Sequence, residues 1–138
     1  MAGFTADKVI EKLRELKAQY IQNDIGNDPA VLPKHVATFL GYATLLYDHY
    51  ATALRDYRIA ESKITKEENL SRAETNAKVK ERSDKITVGE TDQRITVRLS
   101  SYRARRDYLE TEVKGATLHI NGCQSLMKNW GDEAKGMR

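Results

Sequence analysis

One cysteine, two prolines and no long apolar run set the first limits on this 138-residue chain. With Cys123 alone, no intrachain disulfide framework can form, which is compatible with a reducing cytoplasm. Two prolines and eight glycines leave room for long uninterrupted helices. No window approaches the ~20 apolar residues of a membrane-spanning helix, and the opening MAGFTADKVIEKLREL has no apolar signal core. The chain therefore reads as soluble and cytoplasmic. Signatures of catalysis are missing too. There is no glycine-rich phosphate loop and no clustered Cys/His ligand set, so neither cofactor nor metal is expected. His35, His49 and His119 are scattered; His119, beside Ile120, reads as a packed edge residue and Cys123 as a small core hydrophobe. Glu110 and Glu112 do not share a helix face. An enzyme is not expected.

What the sequence does have is charge and helical period. Charged residues make up 31% and the apolar set 40%, with a net charge of only +3, so distribution matters more than the total. The length predicts a single domain, residues 1–138. Helix one is expected over 5–25, capped by Thr5, with Asp7 at the positive end, Phe4 stapled onto Val9, and Gly26 as its stop. A turn at 26–33 should lead into a second helix over 33–83. Three apolar columns run along it in sevens: Val36, Ala43, Tyr50, Tyr57, Ile64; Leu40, Tyr47, Leu54; and Phe39, Leu46, Ala53, Ala60. Beyond Ile64 only Leu70, Ala73 and Ala77 continue a narrow seam amid charges of both signs, as a projecting helix or a frayed one. A second turn belongs within KITVGETDQ, where Gly89 breaks regularity and either Thr87 with Glu90 or Thr91 with Asp92 caps the next helix.

The third helix, expected over 91–131 with a frayed tail after Trp130, carries the cleanest period. Ile95, Tyr102, Leu109, Ala116, Cys123 and Trp130 recur by sevens, interleaved with Leu99, Arg106, Val113, Ile120 and Met127. Five heptads with one offender, Arg106, predict a coiled-coil seam. Gly115 inside it marks a close backbone approach or a tolerated cost of about 1 kcal/mol. Two long helices joined by a short turn make an antiparallel, coiled-coil-like hairpin. The fold class is all-α: a short N-terminal helix plus that hairpin, assembling into a homo-oligomer.

Between Gln93 and Arg106 stand five arginines and no acid. At ~100° per residue, Arg94, Arg98 and Arg105 share one line with Ser101, flanking the seam; Arg103 points away and Arg106 lies in the seam. Such density suits phosphates, and Tyr108 beside it can stack a base. The same arginines can instead pair with Glu61, Glu67 or Glu68 of the facing helix. Arg106 must reach an acid, water or a ligand, since a buried unpaired guanidinium costs several kcal/mol. Tyr47, Tyr50 and Tyr57 read as core, and Lys78, Lys80, Arg82 and Lys85 as a solvated tip.

The order of these features carries a family resemblance. A short amphipathic helix, the Tyr-rich FLGYATLLYDHYATALRDYRIAE and a charged connector precede DQRITVRLSSYRARRDYLETEVKGATLHINGCQSLMKNW. The whole resembles the UvsY-like recombination mediators of tailed phages. That resemblance implies a small all-helical protein that binds single-stranded DNA and forms a ring-like homo-oligomer. It further implies loading of a RecA-type recombinase onto DNA coated by single-strand-binding protein. On this expectation Arg94, Arg98 and Arg105 grip phosphates, Arg103 and Arg106 support them, and Tyr108 stacks. Ile95, Leu99, Tyr102, Leu109, Val113, Ala116, Ile120, Cys123 and Met127 form the core and oligomer seam. The alternative is a non-enzymatic helical-hairpin scaffold, such as a phage-particle component, that binds no nucleic acid.

Overall fold

A computed structural model describes residues 4–136, with backbone only at 134 and 135. Helix α1 spans Ala6–Gln22, and Thr5 caps it, its hydroxyl accepting from the Lys8 N–H at 3.3 Å. Val9, Ile10 and Leu13 are buried along one face. The helix ends before Gly26. Asn23 caps it, Asp24 takes the left-handed conformation (φ 49°), and a 3₁₀ turn covers Ile25–Asn27. The Asp24 carboxylate accepts from the Asn27 side-chain amide at 2.8 Å, a local bond of the kind that lets an acid visit this region. Gly26 is needed for a different reason: a Cβ there would stand 2.5 Å from the Tyr20 hydroxyl.

Helix α2 spans Leu32–Lys78. Asp28 prepares its start, its carboxylate accepting from the N–H groups of Ala30 and Val31, while Pro33 falls in the first turn, where its missing N–H costs nothing. Two of the three expected columns form the buried stripe, and Leu32 extends it. Leu32, Val36, Phe39, Ala43, Leu46, Tyr50, Ala53, Tyr57, Ala60 and Ile64 alternate by four and three, all buried except the half-buried Tyr50. The third column, Leu40, Tyr47 and Leu54, lies on the flank, with Leu40 41% exposed.

Beyond Ile64 the chain stays helical with Leu70, Ala73 and Ala77 all exposed, the projecting helix rather than the frayed one. Helix α2 stops at Lys78, five residues short of the expected end. Asn76 clamps the returning chain there. Its amide donates to the Ile86 carbonyl at 3.0 Å and its oxygen accepts from the Ile86 N–H at 2.8 Å. After a 3₁₀ turn at Arg82–Asp84, α3 runs from Val88 to Gly136. Thr87 is the cap, its hydroxyl accepting from the Glu90 N–H at 3.1 Å. Thr91 is instead buried, and its hydroxyl donates to the Thr87 carbonyl. Gly89 is absorbed into the first helical turn. Helix continues past Trp130, so the expected fraying does not begin there; residues 137–138 lie outside those described.

The protein is thus all-α, a short helix followed by two long ones that pack together, and no strand occurs among the described residues. By its contacts the chain divides into two compact units, Met1–Tyr50 with Leu109–Arg138, and Ala51–Tyr108. Contacts between long helices are local along their length, so packing subdivides. Within the first unit, α1 reaches α3 through Arg14 and Glu112 (2.9 Å), and α2 reaches it through Tyr47 and Thr117 (3.2 Å). Within the second, the pairs 57 with 103, 67 with 98 and 76 with 86 show α2 and α3 antiparallel. Along α3, Leu99, Leu109, Ala116, Ile120 and Cys123 are buried, with Ile95, Val113 and Met127 partly so. Tyr102, on the same seam, is 41% exposed within the single chain.

No backbone approaches Gly115. A Cβ there would meet only the Lys17 ammonium, at an ordinary 3.5 Å. Gly115→Ala is therefore expected to stabilise the protein by about 0.5–1 kcal/mol through helix propensity, read as a higher midpoint in urea with an unchanged m-value.

Candidate nucleic-acid interface

Charge is unevenly divided between the units. Residues 51–108 hold fourteen Lys and Arg against ten Asp and Glu, a net +4; the remaining unit holds nine against ten, a net −1. Within the basic unit, α3 carries Arg94, Arg98, Ser101, Arg105 and Tyr108 at alternating steps of four and three, which places them on one helix face. Every one of these residues is exposed, Tyr108 at 43%.

The arginines nevertheless differ in what they touch. Arg98 reaches across to α2, donating to Glu67 at 2.8 Å and to Glu68 at 3.1 Å. This is the cross-helix pairing the sequence left open against a phosphate role, and it holds the Glu67 carboxyl below its ordinary value, chiefly through the Arg98 hydrogen bond. Arg94 and Arg105 make no ion pair among the described residues. Arg94 borders a shallow groove with Glu90, Gln93 and Val97, and Arg105 borders another with Asp56 and Ser101.

Arg106, the offender in the seam, is accounted for inside the protein. Its guanidinium carbon stands 4.2 Å from the Tyr57 ring centroid, and its Nε donates to Asp107 at 2.9 Å. Tyr57 in turn donates its hydroxyl to Glu61 at 2.5 Å and accepts from Arg103 Nε at 3.4 Å. A tyrosine opposite the seam position thus supplies an apolar body and a π face to a cation. Arg103 and Arg106 belong to this internal network, and the acid that Arg106 was expected to reach is Asp107.

A second basic surface went unread in the sequence. On α2, Arg58, Ser62 and Lys66 recur at steps of four beside Lys63, around an Ile59 that is 60% exposed. The spacing was the available signal; interleaved Asp56 and Glu61 masked it.

In the other unit, residues far apart in sequence converge. His35 of α2 and His119 of α3 bring their Nε2 atoms to 2.8 Å, and Cys123 Sγ lies 3.7 Å from His119 Nε2. Burial holds both imidazoles below their ordinary value, His119 down to about 4 with the help of His35 and Lys17, and pushes the Cys123 thiol up. Tyr20 closes the group, its ring centroid 5.3 Å from His35 and 4.9 Å from His119. His119 and Cys123, expected as edge and core residues, therefore share a polar cluster inside the core.

No protein-family model, curated protein or solved structure matches this chain.

The Arg98 pairing has a pH signature. Because the folded-state value of Glu67 is lowered, its stabilisation is present above the ordinary carboxylate value of 4.5 and is lost as pH falls through the lower folded value. Thermal melts from pH 6 down to about pH 3 should show a smaller loss of stability in Arg98→Met than in the unaltered protein.

Proposed function

We propose that this protein is a non-enzymatic single-stranded DNA-binding recombination mediator of the UvsY-like kind. In this reading it acts as a homo-oligomer and helps load a RecA-type recombinase onto DNA coated by single-strand-binding protein. The observation that carries the reading is the face of α3 on which Arg94, Ser101, Arg105 and Tyr108 stand exposed, within a unit of net charge +4. Two free guanidiniums at that spacing take backbone phosphates, and a tyrosine on the same line stacks an unpaired base without sequence preference. Arg98 contributes less, since Glu67 and Glu68 compete for it. Self-assembly turns a weak strip into a multivalent one. Exposed apolar residues on α3 favour such assembly, above all Leu118 at 73% exposure beside Val113 and Thr117.

The mechanism is physical. Single-stranded DNA laid along repeated arginine strips is bent away from the path its coating protein imposes, and is thereby presented to the recombinase. The scaffold reading is favoured by one specific observation: Arg98 and Arg106 are engaged inside the protein as staples between α2 and α3.

Fluorescence anisotropy of a labelled single-stranded oligonucleotide separates the two. Binding should be independent of sequence and fall steeply with salt. Arg94→Ala with Arg105→Ala should weaken it for every sequence alike and lower the log–log salt slope by about 1.4 for the two lost phosphate contacts. Absence of binding at low salt would leave the scaffold reading. Independently, Leu118→Glu should lower the oligomeric mass in sedimentation while leaving the helical circular dichroism intact; an unchanged mass removes this face from the assembly.

A further inference from the structure

The cluster at His35, His119 and Cys123 has the composition and shape of a metal centre, and nothing in the DNA-binding reading uses it. Its donors come from two helices. His119 and Cys123 are four residues apart on α3, the spacing that puts two side chains on one helix face. His35 faces them from the second turn of α2. The three donor atoms lie within 4.8 Å of one another, with Cys123 and His35 buried and His119 partly open.

A tetrahedral zinc ion with Zn–N near 2.0–2.1 Å and Zn–S near 2.3 Å separates its ligands by about 3.3 Å for N···N and about 3.6 Å for N···S. The Sγ···Nε2 distance of 3.7 Å already matches. The imidazole pair, at 2.8 Å, must open by about 0.5 Å, within the reach of small side-chain rotations. At 2.8 Å one Nε2 carries a proton and the other accepts it, so both face a single point where a metal can replace that proton.

We propose that His35, His119 and Cys123 form a binding site for a divalent first-row transition ion, zinc foremost, with water in the fourth position. Two imidazoles and one thiolate suit zinc and its neighbours and do not suit magnesium or calcium, which take oxygen ligands. Tyr20 packs against the core cluster that holds Cys123, its ring centroid 4.9 Å from that of His119, and closes the site on that side. The balance is simple. The thiol loses its proton to solvent, the shared imidazole proton moves from Nε2 to Nδ1 of its own ring, and one proton is released per ion bound. Because the ligands span α2 and α3, the ion holds the folded arrangement and stabilises it.

The test is titration of the full-length reduced protein with cobalt(II), then zinc(II). The expected result is one cobalt per chain with a thiolate-to-cobalt charge-transfer band in the near ultraviolet, bleached as zinc displaces it. Calorimetry in buffers of different ionisation enthalpy should report one proton released per zinc. Zinc at one hundred times its Kd should raise Tm by about 10 °C. Cys123→Ser should abolish the band and His119→Gln should weaken binding at least tenfold. His49→Gln, at the histidine that bonds the Phe4 carbonyl instead, should bind as the unaltered protein does. Absence of a thiolate band in the unaltered protein, with its thiol shown to be free, overturns the proposal without any variant having to fold. Equal zinc stabilisation of Cys123→Ser overturns it as well, leaving adventitious surface binding only.

Discussion

The structure depends on one constraint: a long, narrow helix must find cover for an apolar stripe that it cannot bury by itself. Isolated helices draw little stability from propensity, so most of it comes from packing. On α2 the stripe from Leu32 to Ile64 alternates by four and three, and almost every position in it is buried. Where the stripe ends, burial ends with it. Leu70 lies 60% exposed, and polar devices take over: the Asn76 clamp on Ile86 and the Arg98 bridge to Glu67 and Glu68.

The arginine-rich stretch of α3 shows how one chemical type serves separate ends. Arg106 sits where an apolar residue belongs, and the Tyr57 ring accommodates it, so a cation becomes part of the helix–helix contact. Arg98 bridges to Glu67 and Glu68 of α2, while Arg94 and Arg105 stand exposed on the same face as Tyr108. Surface pairs of the Arg98 kind contribute little to stability and yield to salt. Added salt therefore loosens this bridge.

Inside the other unit the chemistry differs. Two imidazoles, a thiol and a phenol lie within a core otherwise made of residues such as Ile25, Leu32 and Val36. Buried polar groups are retained where they find partners, and here they find each other. This unit carries a net charge of −1, against +4 for the other.

The sequence by itself determined the local and periodic features: the all-α class, the Thr5 cap, the turn before Pro33, Thr87 as one of two candidate caps, and the main stripe of each long helix. These follow from residue spacing and from hydrogen bonds spanning a few residues, which a linear reading contains. It took Gly26 for a helix stop, whereas the helix ends before it. At Gly26 a neighbour decides: the Tyr20 hydroxyl stands where a Cβ would be. Which arginines are free, what receives Arg106, and the meeting of His35 with His119 and Cys123 were decided only by the tertiary structure. Periodicity reports which face of a helix is buried, but not which residue stands opposite; that depends on the register between helices whose facing residues are 30 to 84 apart in the chain, set by the turn and the fit of facing side chains.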